Sequence, residues 1–194
     1  MATQDSRIKL KRSTIAATVP TVPSSNDHTD GTWIATDIYK GELFYNQADG
    51  VLWTRGDSGI ECIQGTAKLT IASADVLTLN ATPVSFGLTV ASGTAIHIIS
   101  ATGSMTYNST PYATNGNMII RCVGANSGQV GFDDNGLLFG TVSRTVPAAY
   151  VLSDGTTDTF LIDGADLEVT VDVGNPTAGD SDITVYVTYR IIIL

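Results

Sequence analysis

Apolar residues in this chain recur in many short runs that turn-forming sequences separate. From about residue 61 onward these turns include Ser92-Gly93, Asp154-Gly155 and Asp163-Gly164. No segment keeps a 3.6-residue period over the length of an ordinary helix. Short strands at this spacing are typical of a β-sandwich or a β-barrel, so we expect an all-β fold in which helix is nearly absent.

The predicted strands of this body are the runs between successive turn signals. They lie near residues 67–72, 76–79, 84–90, 94–100, 105–108, 118–123, 130–132, 137–142, 149–152, 159–162, 167–173 and 183–193. Within 167–173, Leu167 and Val169 alternate with Glu168 and Thr170, which predicts one core face and one solvated face.

The last predicted strand alternates from Ile183 and then becomes wholly apolar. Its final residues are Ile191, Ile192, Ile193 and Leu194. A run of this kind is expected to be buried on both faces. It therefore predicts either a central strand of the sandwich or a subunit interface, and an interface here would be the natural axis of a homotrimer.

Before this body, residues 41–55 form a predicted β-hairpin whose turn spans residues 46–50. Asp49-Gly50 supplies the positive backbone φ that such turns need, and Phe44 and Trp53 are residue types that pack on a sheet. An isolated hairpin is marginally stable in water, so this one needs further β-structure or another copy to pack on.

Residues 1–30 have little periodicity and contain Pro20 and Pro23. They predict an extended arm that becomes ordered only against a partner. The basic residues in 7–12 could belong to this partner-bound arm. Alternatively, they could form a solvated, disordered chain end.

Charge is placed unevenly in the 194 residues. Residues 1–55 hold six basic and six acidic side chains, whereas 56–194 hold four basic and thirteen acidic ones, and the whole chain carries −9. Charged residues are 15% of the total, against about 25% in typical domains. An acidic body of this kind is expected to repel nucleic acid and to stay soluble.

The hairpin, read with the basic segment 8–13, the proline segment 19–23 and Gly41-Glu42, resembles the N-terminal region of many tailed-bacteriophage virion proteins. The shared motif is Gly-Glu-x-x-x-Asn-x-x-Asp-Gly, here residues 41–50, and the resemblance covers roughly residues 6 to 60. It implies that this region anchors the protein to the phage particle.

A second resemblance, to C-terminal domains of phage structural proteins, rests on residues 74–83, 175–180 and 185–193. It implies a jelly-roll-like head or fibre domain that associates with copies of itself.

The chain offers few residues for catalysis or for metal binding. Cys62 and Cys122 are far apart without a histidine cluster, so we expect two free thiols and no zinc site. There is neither a signal-peptide pattern nor an apolar run of membrane-spanning length. We expect no cofactor, no metal and no membrane partner.

Three patterns in the sequence contain residue types that are used in catalysis or metal binding. Gly56-Asp57-Ser58-Gly59 is part of a serine-protease motif, but it needs a histidine base, and only His28 and His97 exist. Asp133-Asp134 would suit calcium or glycoside hydrolysis, although the following Asn-Gly explains the pair as a turn. Asp172, Asp180 and Asp182 bracket a Gly/Pro loop that would suit a calcium ion, although a solvated loop also explains these residues.

We therefore expect a non-enzymatic structural protein of a tailed-phage virion, made in the host bacterial cytoplasm and carried on the particle surface as a head fibre or capsid decoration protein. Residues 1–60 would be the anchoring arm and hairpin, and 61–194 an outward-facing, jelly-roll-like antiparallel β-sandwich that forms a homotrimer. The expected partner is the major capsid protein or another virion protein. The predicted anchoring residues are Lys9, Lys11, Arg12, Phe44, Trp53 and Arg55, and the predicted intersubunit residues are Ile191, Ile192, Ile193 and Leu194.

Two other functions remain open at this stage. A receptor-binding tail fibre would hold host surface glycan, with Tyr107 and Tyr112 as a possible aromatic patch. A cell-wall hydrolase would depend on Asp133 or His97.

Overall fold

The computed structural model describes residues 10–25, 29–57, 59–113, 116–132, 137–150 and 159–194. Within these residues the fold is all-β with one short helix. The chain divides into two compact units, Met1–Gln64 and Gly65–Leu194, here called unit 1 and unit 2.

Unit 1 contains four strands in the order β1-β2-β3-β4, the last of which continues into unit 2. They are β1 (Lys11–Ser13), β2 (Leu43–Asn46), β3 (Val51–Arg55) and the first residues of β4 (Ile60–Ile71). Strands β2 and β3 form the predicted hairpin, and Gly50 has the positive φ of 67° that its turn requires. Strand β1 pairs with β2 in parallel.

Part of the arm is therefore paired within its own chain. Residues 10–25 had been expected to gain order only against a partner, but β1 lies beside β2, with Lys11 opposite Phe44. The parallel pairing was not visible in the sequence because three residues are too few to show a period.

Unit 2 contains two antiparallel sheets. The first has the order β4-β12-β6-β9, with β12 (Asp182–Ile193), β6 (Thr94–Thr106) and β9 (Arg144–Pro147). The second has the order β10-β8-β7-β11-β5, with β10 (Ala149–Tyr150), β8 (Val130–Phe132), β7 (Met118–Cys122), β11 (Leu167–Val171) and β5 (Val84–Ser85).

The core of unit 2 lies between these sheets. Strand β12 contributes Ile183, Val185 and Val187, and β7 contributes Met118 and Ile120, all at most 2% exposed. The sheets approach closely where Gly103 of β6 faces β8, because a Cβ there would lie 2.9 Å from the Phe132 ring. This glycine permits close packing, and the two strands predicted at 94–100 and 105–108 are a single strand because β6 pairs with β12 along its whole length.

The predicted strand at 76–79 is wrong. Helix α1 (Ser73–Val76) and a following turn occupy this stretch. Val76 and Leu79 are both fully buried, and their spacing of three places them on one face of a helical turn. The run is too short for its period to separate helix from strand.

Three other predicted strands differ from the structure. Residues 137–139 form a turn from which Leu137 and Leu138 both enter the core, and 159–162 have no regular structure. The strand at 84–90 is limited to Val84–Ser85, because the Asp166 carboxylate accepts the N–H groups of Gly87 and Leu88 at 2.8 and 2.9 Å.

The strand predicted at 149–152 is described only in part. Ala149–Tyr150 form strand β10, and residues 151 and 152 lie outside the described part.

The solvated face predicted for residues 167–173 is wrong at Glu168 and Thr170, whereas Asp172 is exposed as predicted. Glu168 and Thr170 are buried, at 9% and 2% exposure. Glu168 pairs with Arg121 at 2.7 Å, and the Thr170 hydroxyl donates to the Leu79 carbonyl at 3.0 Å. The turn after α1 therefore covers this face, which sequence alternation does not reveal.

The C-terminal strand is central but its end is not buried. Strand β12 pairs with β6 as far as Ile193, whereas its pairing with β4 ends at Tyr189. In the single chain Ile193 is 75% and Leu194 61% exposed, so the central position of the strand does not bury its end, and burial at a subunit interface stays a prediction.

A buried glutamine joins the two sheets of unit 2. The Gln129 side chain accepts the Ile98 N–H at 2.9 Å and donates to the Ile96 carbonyl at 2.9 Å. We expect Gln129→Leu to lower the free energy of unfolding by about 2–4 kcal/mol, because two buried backbone groups lose their partners. Urea denaturation measures this, with exposed Gln64→Leu as the control. Equal stability of the two variants would contradict the assignment.

Candidate functional site in unit 1

The hairpin turn binds the arm through two polar side chains. Asn46 is buried and donates from Nδ2 to the carbonyls of Ile15 and Thr18, both at 3.1 Å. Asp49 accepts the Ala17 N–H at 2.6 Å and the Asn46 amide at 2.6 Å. These bonds satisfy the backbone of residues 15–18, so the arm is fastened across the end of the hairpin.

Lys11 makes a second connection between the arm and the rest of unit 1. Its Nζ donates to the Asp37 carbonyl, lies 3.7 Å from a Glu42 carboxylate oxygen and stands 3.3 Å from the centre of the Trp33 ring. The Trp33 ring in turn stacks on Tyr39, with centroids 5.9 Å apart. An ammonium over an indole face is a favourable arrangement, which adds to the ion pair.

Asp37 connects the arm to the chain that precedes the hairpin. Its buried carboxylate accepts the Ile34 N–H at 3.0 Å and the Thr21 hydroxyl at 2.6 Å. These hydrogen bonds, with a smaller contribution from the Lys11 charge, lower the pKa of Asp37 below its ordinary value of 3.8.

The free energy of unfolding of unit 1 is consequently expected to fall in acid. A lowered carboxylate pKa gives stability that is complete above the ordinary pKa and is lost as the pH falls through the folded-state pKa, here below about pH 4. Because both tryptophans, Trp33 and Trp53, lie in unit 1, intrinsic fluorescence follows this unit separately. Asp37→Asn should remove part of the acid dependence, and exposed Asp75→Asn should not. An unchanged acid profile in Asp37→Asn would refute this role.

The predicted anchoring residues occupy different environments. Phe44 and Trp53 are buried, at 1% and 6% exposure, and the Arg55 guanidinium donates to the Ile38 carbonyl at 3.2 Å. Arg12 is exposed, and Lys9 lies outside the described residues. Residues such as Phe44, Trp53 and Lys11 therefore hold unit 1 together, and their contribution to anchoring stays a prediction.

Unit 1 also exposes large aliphatic side chains that the sequence reasoning did not select. They are Leu10, Ile15, Val19, Val22 and Ile34, between 38% and 72% exposed. No periodicity marks them, because they lie in irregular segments of the arm and beside Trp33.

The acidic loop residues of unit 2 bind neighbouring backbone. The Asp180 carboxylate accepts the N–H groups of Ser109 and Thr110 at 3.1 and 2.9 Å and the Ser109 hydroxyl at 2.6 Å, and these bonds lower its pKa. Asp182 accepts the Ser73 N–H at 2.9 Å. Among the described residues, no group of three potential ligands is placed to hold a metal ion.

The aromatic patch considered for glycan contact does not form as predicted. Tyr112 is 1% exposed and donates its hydroxyl to the Ser181 carbonyl, and burial raises the pKa of Tyr112 to about 12. Tyr107 donates its hydroxyl to the Ser109 carbonyl.

The residues considered for catalysis are only partly visible. His97 is half-buried on β6 opposite Arg190, and burial together with that charge lowers its pKa. His28, Ser58, Asp133 and Asp134 lie outside the described part of the chain. Neither Cys62 nor Cys122 forms a disulfide bond, and burial raises the pKa of Cys122.

Comparison with known proteins gives little similarity. No protein-family model matches the chain, and no curated protein matches it. Among solved structures, the chain is similar to one from the cyanophage Pam1 capsid asymmetric unit, with a TM-score of 0.38 and 15% identity over 66% of this chain and 82% of that one. A likeness at this level does not by itself indicate a function.

The part of the chain that the structure describes contains one helix, which is four residues long. No helix in this part is long and apolar enough to cross a membrane.

Proposed function

We propose that this chain is a non-enzymatic structural component of a tailed-phage virion, a head fibre or capsid decoration protein that unit 1 attaches to the particle. The observation that carries the proposal is the fastening of the arm by the hairpin. Glu42, Asn46 and Asp49, three positions of the motif shared with phage virion proteins, each bond to the arm or to its surroundings.

Such fastening makes unit 1 a preorganised contact module. The arm backbone is already ordered by Asn46 and Asp49, so binding to a particle would not have to order it again. Meanwhile Ile15 and Ile34 remain 72% and 55% exposed, and their burial against the major capsid protein or another virion protein would supply free energy.

Substitution of the exposed aliphatic residues tests this attachment. We expect Ile34→Asp to reduce incorporation into particles by at least about tenfold, because a carboxylate would replace apolar area at a desolvated contact. Val142→Asp is the matched control, since Val142 is 59% exposed in unit 2. Incorporation is measured by quantitative mass spectrometry of gradient-purified particles. Equal loss in both variants, or none in either, would refute attachment through this surface.

Unit 2 would then be the outward-facing, jelly-roll-like domain and would form a homotrimer. Ile191, Ile192, Ile193 and Leu194 follow the end of the β4–β12 pairing, and the last two are exposed in the single chain. Exposed apolar side chains beside unpaired strand positions favour self-association. Three copies joined in a trimer would bind the particle much more tightly than one copy, because after the first copy binds the other two are held at a high effective concentration.

A second candidate function is host attachment as a receptor-binding tail fibre. The observation that favours it is a groove of about 470 Å³ in unit 2, lined in part by Tyr150, Asn117 and Asp172. An exposed aromatic ring combined with carboxylate and amide groups suits contact with a surface glycan. Binding of the isolated protein to host cells tests this candidate.

A further inference from the structure

The outer face of the first sheet of unit 2 is lined with hydroxyl groups. Val185 and Val187 of β12 are buried in the core, so Tyr186 and the other even-numbered residues of this strand lie on the opposite face. Strand register places hydroxyl-bearing residues of the neighbouring strands on the same face. The resulting set is Thr66 and Thr70 of β4, Thr102 and Ser104 of β6, and Thr184 and Thr188 of β12, all exposed or half-buried.

These hydroxyl groups have hydrogen-bonding capacity to offer a ligand. The Thr70 and Thr184 hydroxyl oxygens lie 3.3 Å apart and share one hydrogen bond. The side chains of Thr66, Thr102 and Thr188 form no hydrogen bond with another described residue. Because each hydroxyl has one donor and two acceptor lone pairs, most of the hydrogen-bonding capacity of this face is directed to solvent.

The same sheet concentrates positive charge on an otherwise acidic unit. Unit 2 contains four basic and eleven acidic residues. Strands β6, β9, β12 and the part of β4 in unit 2 hold three of these basic residues, and Asp182 is their one acidic residue. Lys68 and Arg190 are exposed on the outer face, and neither forms an ion pair with a described residue. Since salt screens charges beyond about 8 Å, a ligand on this face meets these two cations rather than the distant carboxylates.

An exposed aromatic ring lies on this face beside one of the cations. Tyr186 is 46% exposed and is directly opposite Lys68 in register, with the Lys68 ammonium 5.7 Å from the centre of the ring. Arg190 follows four residues later on the same face of β12, roughly 13 Å along the strand. A ligand that reaches both cations must therefore be extended and must cover the ring and Thr188.

We propose that this face binds a polysaccharide that carries carboxylate groups, an inference that rests on host attachment as the second proposed function. The contact surface is separate from the groove of the second sheet. The Tyr186 ring has an apolar face for the C–H groups of one sugar, and the threonine and serine hydroxyls bond the sugar hydroxyls. Lys68 and Arg190 bind carboxylates of the same polymer through charge-assisted hydrogen bonds.

The composition of the face distinguishes a polysaccharide from other extended partners. A single-stranded nucleic acid stacks successive bases on several aromatic rings, whereas these strands present Tyr186 alone on their outer face. The core of a protein interface is depleted in lysine and serine and contains large apolar side chains. Sugars alternate apolar C–H surfaces with hydroxyl groups, and this face supplies a partner for each.

The test measures binding of the full chain to polygalacturonate, a polymer of carboxylated sugars, by biolayer interferometry at about 0.15 M ionic strength. Fully methyl-esterified polygalacturonate is the matched ligand, because it keeps the sugar rings and lacks the charge. We expect the wild type to bind the acid at least about tenfold more tightly than the ester. The double variant Lys68→Gln, Arg190→Gln should bind the acid at least about tenfold more weakly than the wild type. Lys40→Gln, which removes an exposed charge of unit 1, should not change the affinity.

A pair of tyrosine variants locates the binding surface. Tyr186→Ala should lose most of the binding, and Tyr150→Ala, at an exposed tyrosine of the second sheet, should keep it. Thermal unfolding checks that each variant is folded. Loss of binding in Tyr150→Ala but not in Tyr186→Ala overturns the proposal, as does binding that survives the double variant.

Three further outcomes are decisive. Equal binding of the acid and the ester overturns the role of the cations, and equal affinity for an oligothymidylate overturns the assignment to a polysaccharide. A wild-type chain that binds host cells but not polygalacturonate refutes this inference alone. A chain that binds neither refutes host attachment as well, whereas the structural role is tested separately by incorporation into particles.

Discussion

Asn46→Leu is expected to release the arm from the hairpin and to abolish most incorporation into particles. The buried amide supplies the donors for the Ile15 and Thr18 carbonyls and holds Asp49, which binds the Ala17 N–H. Loss of these bonds should cost about 2–4 kcal/mol locally. A loss of about 2 kcal/mol corresponds to roughly thirtyfold faster hydrogen exchange at the Ala17 amide.

Gln47→Leu is the matched control, because it places the same side chain at the adjacent, exposed position of the turn. Hydrogen exchange measured by NMR reports the arm, and tryptophan fluorescence reports unit 1 as a whole. If Asn46→Leu exchanges as slowly as Gln47→Leu, the amide does not fasten the arm. If the arm is released but incorporation is normal, a preorganised arm is not required for attachment.

The double variant Ile193→Asp, Leu194→Asp is expected to convert a trimer into monomers. Full burial of an isoleucine or a leucine contributes about 1.5–3 kcal/mol, and an aspartate in its place would be desolvated without a partner. Two such changes in each protomer should weaken association by far more than a hundredfold. Light scattering after size-exclusion chromatography should change from three times the 20.3 kDa chain mass to a single chain mass.

Val173→Asp serves as the control, since Val173 is 59% exposed at the end of the other sheet and should leave the trimer intact. The fold of each variant is checked by thermal unfolding. A wild-type chain that is monomeric at all concentrations would contradict the trimer, and a trimer that persists in the double variant would move its interface elsewhere.

Strands were predictable where the chain has the pattern of a regular element. The hairpin, β7, β8 and β12 lie close to their predicted positions because alternation, β-branched residues and turn sequences agree there. Some failures arise because a side chain can be buried by a segment distant in sequence, whereas the strand predicted at 76–79 failed because the run is too short to show its period. Thr170 is covered by the turn at Leu79, and Gly103 permits packing against Phe132.

The candidate site was predictable as a region but not as a set of contacts. The motif indicated residues 41–50, yet it gave no sign that Asn46 and Asp49 bind the arm or that Lys11 lies over Trp33. Those contacts join residues that are 22 to 32 positions apart, a separation over which no local sequence pattern indicates a contact. Phe44 and Trp53 were predicted as anchoring residues because they are large and apolar, and the same property accounts for their burial in unit 1.

The central claim is that this chain belongs to a virus particle and is attached to it by unit 1. Quantitative mass spectrometry of gradient-purified particles, in parallel for wild type and Asn46→Leu, tests it most directly. The account predicts a fixed copy number per particle, divisible by three, for the wild type and at least a tenfold lower number for the variant. Absence of the wild-type chain from particles, or equal amounts of both chains, would contradict it.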